Sequence, residues 1–267
     1  MSSRFVSARV RRLLGVMLLS LGMAQGALAA LFESNPANFG TVLPDPSNCD
    51  DCAAGPFSFG SGHSLNFFGT TYTDLYVSSN GYVTFGSGHS NYSPQPLDTQ
   101  TIGPMIAGLF TDLDSRSDAS SEVLVNTATP GQIIVTWYQM GAYPQNYSGR
   151  ATFQLVIRSD QFAVPGGQGQ IGFFYDQVGM TRTSSAGFGD GLAAVNPGEV
   201  AFHTQAAASE LNNAAPRWYM LSGGVPTTPP TAVMPVPTLS EWAMIVLSLL
   251  LVAGSVSSVT LRRSTRG

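Results

Sequence analysis

Acidic side chains are densest at Asp112, Asp114 and Asp118, within the stretch Phe-Thr-Asp-Leu-Asp-Ser-Arg-Ser-Asp. Alternating carboxylates in a loop can supply oxygen ligands to calcium, a hard cation that takes about six to eight of them. The same stretch also fits a polar turn in which Arg116 pairs with a neighbouring aspartate. We favour the ion-paired turn and keep calcium as the one candidate cofactor.

The two cysteines of the chain, Cys49 and Cys52, are separated by Asp50 and Asp51. A zinc site needs about four ligands, and none of the three histidines has ligand-like spacing with this pair. A redox-active pair needs a stabilised thiolate, which two adjacent carboxylates disfavour. We therefore expect a structural disulfide, formed in an oxidising compartment and modest in its effect because the closed loop is short.

Motifs of familiar catalytic machinery do not occur in the sequence. It has no Gly-x-Ser-x-Gly elbow, no His-Glu-x-x-His zinc motif and no phosphate-binding glycine loop. Scattered acid pairs could form a glycosidase dyad, but spacing along the chain says nothing about their separation in space. We expect a protein that is not an enzyme. A secreted hydrolase is kept as the least favoured alternative.

Aromatic side chains suggest a different kind of binding, because an exposed ring can stack on a sugar. The candidates are Tyr72, Tyr92, Trp137, Tyr143 and Tyr147. A carbohydrate-binding surface module is therefore one of the functions that the sequence allows.

The elements that must position these side chains have the pattern of short β-strands. Aromatic and β-branched residues cluster between Gly, Pro, Asn and Asp, and helical periodicity is weak even at its best, around 205–212. Four strands are predicted at 122–126, 133–139, 151–158 and 170–175, with turns at Pro130-Gly131 and Gly166-Gly167. The expected fold is all-β, an antiparallel β-sandwich or a barrel-like domain.

Two local patterns are more specific. Residues 75–79 and 82–85 flank Asn80-Gly81, a dipeptide that predicts a two-residue type I′ hairpin turn. In the strand at 151–158, apolar side chains at 153, 155 and 157 alternate with Thr152 and Gln154. That alternation predicts a strand with one buried and one solvent-facing side.

Residues 1–29 have the organisation of a secretory signal peptide. A basic start precedes an apolar stretch from Leu13 to about Ala24, and Ala27 and Ala29 provide a small-x-small cleavage site. We expect this signal helix to be read by the Sec export machinery and the mature chain to begin at Ala30.

The carboxyl end reads as a membrane anchor. Residues 242–261 are uncharged and largely apolar, and Arg262, Arg263 and Arg266 occur beyond them. Twenty residues at a rise of ~1.5 Å span about 30 Å, so a single transmembrane helix with a cytoplasmic end is predicted. Before it, residues 223–235 are rich in Pro and Thr and predict an extended stalk that ends the folded domain at residue 222.

The exported part of the chain is strongly acidic. Residues 30–235 contain five arginines and fifteen acids, a net charge near −10 (5 − 15), although the whole chain carries only −4. Nucleic acid and anionic membrane surfaces are poor partners for such a domain.

One resemblance covers most of residues 55–205. Residues 75–86 (Leu-Tyr-Val-Ser-Ser-Asn-Gly-Tyr-Val-Thr-Phe-Gly) and 104–116 (Pro-Met-Ile-Ala-Gly-Leu-Phe-Thr-Asp-Leu-Asp-Ser-Arg) resemble the NIDO domain of nidogen-type extracellular proteins. Blocks at 151–157, 171–176 and 186–191 follow in the family's order, although Phe110 and Thr111 stand where the family often has tryptophan. The resemblance implies that residues 30–222 form an extracellular adhesion or matrix module with no known catalysis.

A second resemblance covers residues 236–267. Its motif residues are Val236, Pro237, Thr238, Leu239 and Trp242. With the apolar span and terminal arginines, the motif is similar to the IPTL-CTERM class of bacterial sorting signals, although that class usually begins with isoleucine. The resemblance implies recognition by an exosortase-like membrane transpeptidase in a Gram-negative bacterium. Apart from the family, Thr238 and Glu241 have capping-box spacing, and a plain membrane anchor is the alternative.

Together these features predict an exported protein, held in the inner membrane before sorting and afterwards at the cell surface or outside the cell. The expected partners are the sorting enzyme, the export machinery, the membrane, and a matrix protein or glycan.

Overall fold

The computed structural model describes residues 30–227, except Pro46 and Ser117, and these residues form an all-β fold with antiparallel pairing throughout. The helical segments of this part of the chain are two short 3₁₀ helices, Pro36–Asn38 and Ala208–Leu211. The weak helical pattern around 205–212 thus corresponds to a single 3₁₀ turn.

The larger sheet contains eight strands. Along its path lie β1 (Thr41–Val42), β9 (Glu122–Asn126), β10 (Gln132–Ala142), β11 (Asn146–Arg158), β12 (Ile171–Val178), β15 (Arg217–Ser222) and β16 (Val225–Thr227), and β8 (Leu113–Asp114) also pairs with β10.

The smaller sheet contains six strands. Their order is β14 (Val200–Ala207), β13 (Thr183–Gly189), β7 (Met105–Phe110), β6 (Tyr82–Thr84), β5 (Asp74–Ser78) and β2 (Ala53–Ser58). A separate hairpin is formed by β3 (Leu65–Phe67) and β4 (Thr70–Tyr72).

The two large sheets share one hydrophobic core, to which both contribute inward-facing side chains. Trp137 of β10 donates its indole N–H to the carbonyl of Ser78 on β5, at 2.9 Å. Tyr175 of β12 donates its hydroxyl to the carbonyl of Gly108 on β7, at 2.7 Å. Both side chains are completely buried. These bonds join one sheet to the other, as expected for sheets packed face to face.

The four predicted strands are all present, as β9 to β12, and both predicted turns lie between strands. β10 and β11 are longer than predicted and form the most extensive pairing of the fold. Their register is interrupted between Trp137 and Met140 by a bulge. The bulge brings residues with poor strand patterning into the ladder, which is why the sequence underestimated their length.

The prediction of one solvent-facing side for β11 is wrong. Thr152, Gln154 and Val156 are at most 1 % exposed, as buried as the core-facing residues between them. The segment before β1 covers this face, because Glu33 donates its backbone N–H to Gln154 Oε1 and accepts from Gln154 Nε2, at 3.1 and 3.0 Å. An alternating strand pattern cannot show that a distant segment will cover its polar side.

The predicted hairpin at Asn80-Gly81 is present, but its turn is not the two-residue type I′. β5 pairs with β6 in the register Val77 to Val83, which leaves a three-residue loop of Ser79, Asn80 and Gly81. Gly81 alone of the three has a positive φ, at 83°. A Cβ there would lie 2.0 Å from the carbonyl oxygen of Leu109, so the close approach of β7 also requires glycine.

The folded domain extends beyond residue 222, where the stalk was expected to begin. Gly223 and Gly224, both with positive φ, turn the chain between β15 and β16. Pro226 lies in β16, an edge strand, where the missing N–H of proline is tolerated. The proline-rich composition therefore masked a short strand.

Several predictions concern residues outside the described part of the chain. These are the signal peptide at 1–29, the stalk from residue 228 onward, the sorting motif at 236–242 and the transmembrane helix at 242–261. Within residues 30–227, no helix has both the length and the apolar character needed to span a bilayer.

Candidate functional site

Three aspartates converge at one place on the surface. Asp50, Asp51 and Asp112 each direct a carboxylate oxygen to within 4.8 Å of the others, and we call them the acid group. Asp50 and Asp51 lie between the two cysteines, and Asp112 follows β7. The acid group therefore joins parts of the chain that are about sixty residues apart.

The loop that carries Asp50 and Asp51 is fixed at both ends. Cys49 and Cys52 form the expected disulfide, and no cysteine among the described residues is free. The backbone N–H of Cys49 donates to Ser115 Oγ at 3.1 Å, and that of Cys52 donates to Ser79 Oγ at 3.0 Å. Both serine residues are buried, so these hydrogen bonds attach the loop to the core, while the disulfide joins its two ends to each other.

Asn80 connects the acid group to the hairpin between β5 and β6. Its side chain is completely buried, donates to Asp51 Oδ1 at 2.8 Å and accepts from the backbone N–H of Leu113 at 2.9 Å. The Asn80 amide thus positions Asp51 directly. Through its bond to Leu113, the first residue of β8, it also positions the chain next to Asp112. A buried side chain with both ends hydrogen-bonded is a strong constraint on local geometry.

The predicted grouping of Asp112, Asp114 and Asp118 is wrong, because each carboxylate is paired with a different arginine. Asp112 accepts from Arg182 at 3.0 Å, Asp114 from Arg116 at 2.7 Å, and Asp118 pairs with Arg150. These three acids are not among the groups of described residues that converge closely enough to hold a metal ion. The interpretation favoured from the sequence, a turn in which Arg116 pairs with a neighbouring aspartate, is confirmed.

Arg116 also joins the predicted stretch to the acid group. Its guanidinium lies 3.0 Å from Asp50 Oδ2 as well as 2.7 Å from Asp114 Oδ2. Asp114 is completely buried and also accepts from the backbone N–H of Gln145 at 3.0 Å. Burial raises the pKa of Asp114, but the hydrogen bonds from Arg116 and Gln145 outweigh it, and the pKa is lowered overall.

The carboxylates of the acid group are less well compensated. Burial raises the pKa of Asp112 to about 6, and the charges of Asp50, Asp51 and Asp114 add to this against the opposing effect of Arg182. Burial also raises the pKa of Asp50, with Asp114 as the next cause. Among the described residues, Asp50 Oδ1 has no hydrogen-bond partner although the atom is buried. The acid group thus retains an unused acceptor and an excess of negative charge.

Two tyrosines flank the acid group. Tyr92 and Tyr143 line a cleft of about 220 Å³ together with Asp50, Asp51 and Asp112, and we call it the tyrosine cleft. The guanidinium of Arg116 lies 5.8 Å from the centroid of the Tyr143 ring. An adjoining groove of about 430 Å³ shares Tyr92 and Asp112 and extends along Arg182.

The five aromatic side chains proposed for sugar stacking have different surroundings. Tyr92 and Tyr143 are 51 % and 42 % exposed and lie at the same cleft. Trp137 is completely buried and stacks on Phe153. Tyr72 is half-buried against Phe85, and Tyr147 is half-buried and donates its hydroxyl to the carbonyl of Arg116.

Sequence reasoning treated Asp50 and Asp51 only as neighbours of the thiols and so missed their part in the site. A signal was present, because two consecutive acids inside a disulfide-closed loop are held at the surface by the crosslink. Their meeting with Asp112 had no such signal, since it depends on the pairing of β7 with β6.

Comparison with known proteins gives two family matches. A family model described as NIDO related matches residues 29–218, and a model of the IPTL-CTERM motif matches residues 234–263. Neither a curated protein nor a solved structure matches the chain. Both matches agree with the resemblances drawn from the sequence, and the IPTL-CTERM motif indicates an exported protein that is sorted to the cell surface or beyond it.

Proposed function

This chain belongs to the NIDO-related family, and on that premise we propose that its domain is a non-catalytic binding module displayed outside the cell, with a role in adhesion or matrix structure. The observation that carries the proposal is the tyrosine cleft, an open surface site in which two exposed rings lie beside hydrogen-bonded or ion-paired carboxylates. Binding sites typically combine a few fixed polar groups with aromatic surface.

Two of the three serine–histidine pairs among the described residues have a buried serine and so support a non-catalytic role, and the third, Ser87 with His89 at 3.0 Å, lies at the surface. His63 contacts Ser159 and His203 contacts Ser184, each at 2.8 Å. A serine nucleophile must reach its substrate, yet both serine side chains are completely buried. These pairs are therefore assigned to packing, and burial lowers the pKa of His203 as expected for a neutral interior imidazole.

The same proposal includes processing at the carboxyl end. An exosortase-like transpeptidase recognises the motif around Pro237 and Thr238 after export through the Sec machinery, while the apolar segment holds the chain in the inner membrane of a Gram-negative cell. The matching IPTL-CTERM motif and the order of motif, apolar span and arginines support this sequence of events.

The sorting step is tested by replacing Pro237 and Thr238 with alanine and measuring the size and location of the protein in its host. We expect an unprocessed chain retained in the membrane fraction. The chain offers a matched control, since Pro230 and Thr231 repeat the same dipeptide outside the matched motif. Normal size and location of the Pro237→Ala/Thr238→Ala variant would rule out recognition of the motif.

The adhesion or matrix role is tested separately by deleting the gene and complementing it with the intact chain or with a chain lacking residues 236–267. We expect surface attachment and biofilm formation to return only with the intact chain. Full restoration by the truncated chain would show that display at the surface is not required.

A further inference from the structure

We propose that the tyrosine cleft binds a polysaccharide that carries free, positively charged amino groups. This inference rests on the proposed function of an extracellular binding module and names the ligand class of the same cleft. The argument depends on ring exposure, local charge and the chemistry of the adjoining groove.

The exposed rings are the first observation. Among residues 30–227, Tyr92 and Tyr143 are the aromatic side chains that are exposed, and both line the tyrosine cleft. The two rings share one cleft, so they form a small aromatic patch and are not singly scattered side chains. Aromatic faces attract both the apolar face of a sugar ring and a cationic group above the ring.

The net charge around the tyrosine cleft determines whether it binds a cationic or an anionic ligand. Asp50, Asp51, Asp112 and Asp114 face Arg116 and Arg182, which leaves a local charge of −2 (two arginines minus four acids). A cationic ligand relieves the repulsion within the acid group, whereas an anionic polysaccharide would be repelled.

The adjoining groove favours a hydroxyl-rich ligand. It continues from the tyrosine cleft past the exposed residues Ser93, Thr181 and Thr183. A peptide-binding groove would be expected to offer apolar pockets for anchor side chains. This groove instead offers hydroxyls, Arg182, which can donate to sugar hydroxyls, and Asp112, which can accept from an amino group.

The test compares glucosamine oligomers, whose amino groups can carry a proton, with N-acetylglucosamine oligomers of the same length, in which a neutral acetamide replaces each amino group. Binding is measured at neutral pH by isothermal titration calorimetry, with the full-length protein in detergent. We expect the glucosamine oligomers to bind at least about tenfold more tightly. Equal affinity for the two series would overturn the assignment of a cationic ligand.

Variants distinguish binding at the tyrosine cleft from the general attraction of an acidic protein for a polycation. Tyr92→Ala and Tyr143→Ala should each weaken binding about tenfold, while Tyr92→Phe and Tyr143→Phe should bind nearly as the native protein does. Asp112→Asn should weaken binding, but Asp176→Asn, at an exposed acid on β12, should not. Binding that is unchanged by both alanine variants, or matched by oligolysine, would overturn the proposal.

Failure of this test and failure of the proposed function give different results. Sorting and attachment are measured in cells and do not require the oligomer, whereas the titration does not require sorting. A protein that is sorted and supports attachment but does not bind the oligomer would refute only the ligand class.

Discussion

The side chain of Asn80 donates to Asp51 Oδ1 at 2.8 Å and so joins a completely buried hairpin residue to the acid group. The same amide accepts from Leu113 N–H, next to Asp112. The arrangement of the acid group therefore depends on a core residue, not only on the loops that carry the carboxylates.

Asn80→Ala should lower the free energy of unfolding by about 1 to 2 kcal/mol, because the buried N–H of Leu113 keeps only its bond to the Thr111 carbonyl and Asp51 loses a donor. Denaturant unfolding monitored by tryptophan fluorescence measures the change. Asn91→Ala, at an exposed position nearby, serves as the control and should have little effect. Similar losses in the two variants would show that the bonds of Asn80 contribute little.

The pH dependence of stability should contain a contribution from Asp112. Its pKa is raised from 3.8 to about 6, chiefly by burial, so the folded protein keeps this proton at pH values where the unfolded chain has lost it. This contribution is fully present below about pH 4 and is lost as the pH rises through about 6. Asp112→Asn should flatten the stability curve in that window, measured by thermal unfolding across the range.

At lower pH the stability should instead decrease as the pH falls, and Asp118 is the cause. Hydrogen bonds from Ser120, with a contribution from Arg150, lower the pKa of Asp118 to about 2, so its stabilisation is lost as the pH falls from about 4 toward 2. Asp112→Asn should leave the loss of stability below about pH 4 unchanged. Asp176→Asn should leave the pH dependence of stability unchanged both below and above about pH 4. A curve for Asp112→Asn with the native slope between pH 4 and 6 would contradict the assignment.

Replacing both cysteines with serine should destabilise the protein by no more than about 2 kcal/mol, because the disulfide closes a very short loop. Ser79 and Ser115 continue to hold the loop ends in the variant. Denaturant unfolding with and without reductant checks this, and the double variant itself should be insensitive to reductant. A loss of about 4 kcal/mol, the size expected for a disulfide closing a long loop, would show that the crosslink orders more than its own loop.

Arg158→Ala should destabilise the protein by about 3 kcal/mol or more. The side chain is 2 % exposed and donates to Gln132, Gln168 and Gly169 at 2.8, 2.6 and 3.0 Å. Its guanidinium also lies 4.7 Å from the ring of Trp218, and burial lowers its pKa to about 10. Removing it leaves three acceptors without a charged donor, and the Gly169 carbonyl among them is buried.

Arg217→Ala is the matched control for Arg158→Ala. Arg217 lies 4.7 Å from the ring centroid of Phe202 but is exposed, so its loss should cost only about 0.5 to 1 kcal/mol. Chemical denaturation of the two variants gives the comparison, and equal costs would show that burial of Arg158 adds nothing.

The features that the sequence predicted well are local. The Asn80-Gly81 dipeptide and the run at 122–126 specify a hairpin and a strand through neighbouring residues alone, and both are present. The buried state of Gln154 and Arg158 could not be predicted, because it depends on a segment more than one hundred residues earlier and on Trp218. Nothing in an alternating strand distinguishes a polar residue facing water from one covered by another part of the chain.

The acid group shows the same limit. Each aspartate was visible in the sequence, and the spacing of Asp112, Asp114 and Asp118 suggested a common site. Each instead has its own arginine, and Asp112 meets Asp50 and Asp51 because β7 pairs with the hairpin that holds Asn80. Two of the arginine partners come from distant parts of the chain, Arg150 from β11 and Arg182 from the turn before β13. The sequence around the aspartates does not indicate these partners.

The hairpin of β15 and β16 has a mechanical consequence. The chain leaves the described domain at Thr227, the last residue of a three-residue strand that pairs with β15 at the edge of the larger sheet. Any pull transmitted from the carboxyl end enters the domain through this strand. Detaching β16 would break its pairing with β15 and its packing against Gly198, and would leave the pairing of β15 with β12 in place. Under load we therefore expect this edge strand to detach before the core unfolds, which would give the domain a few residues of extra reach.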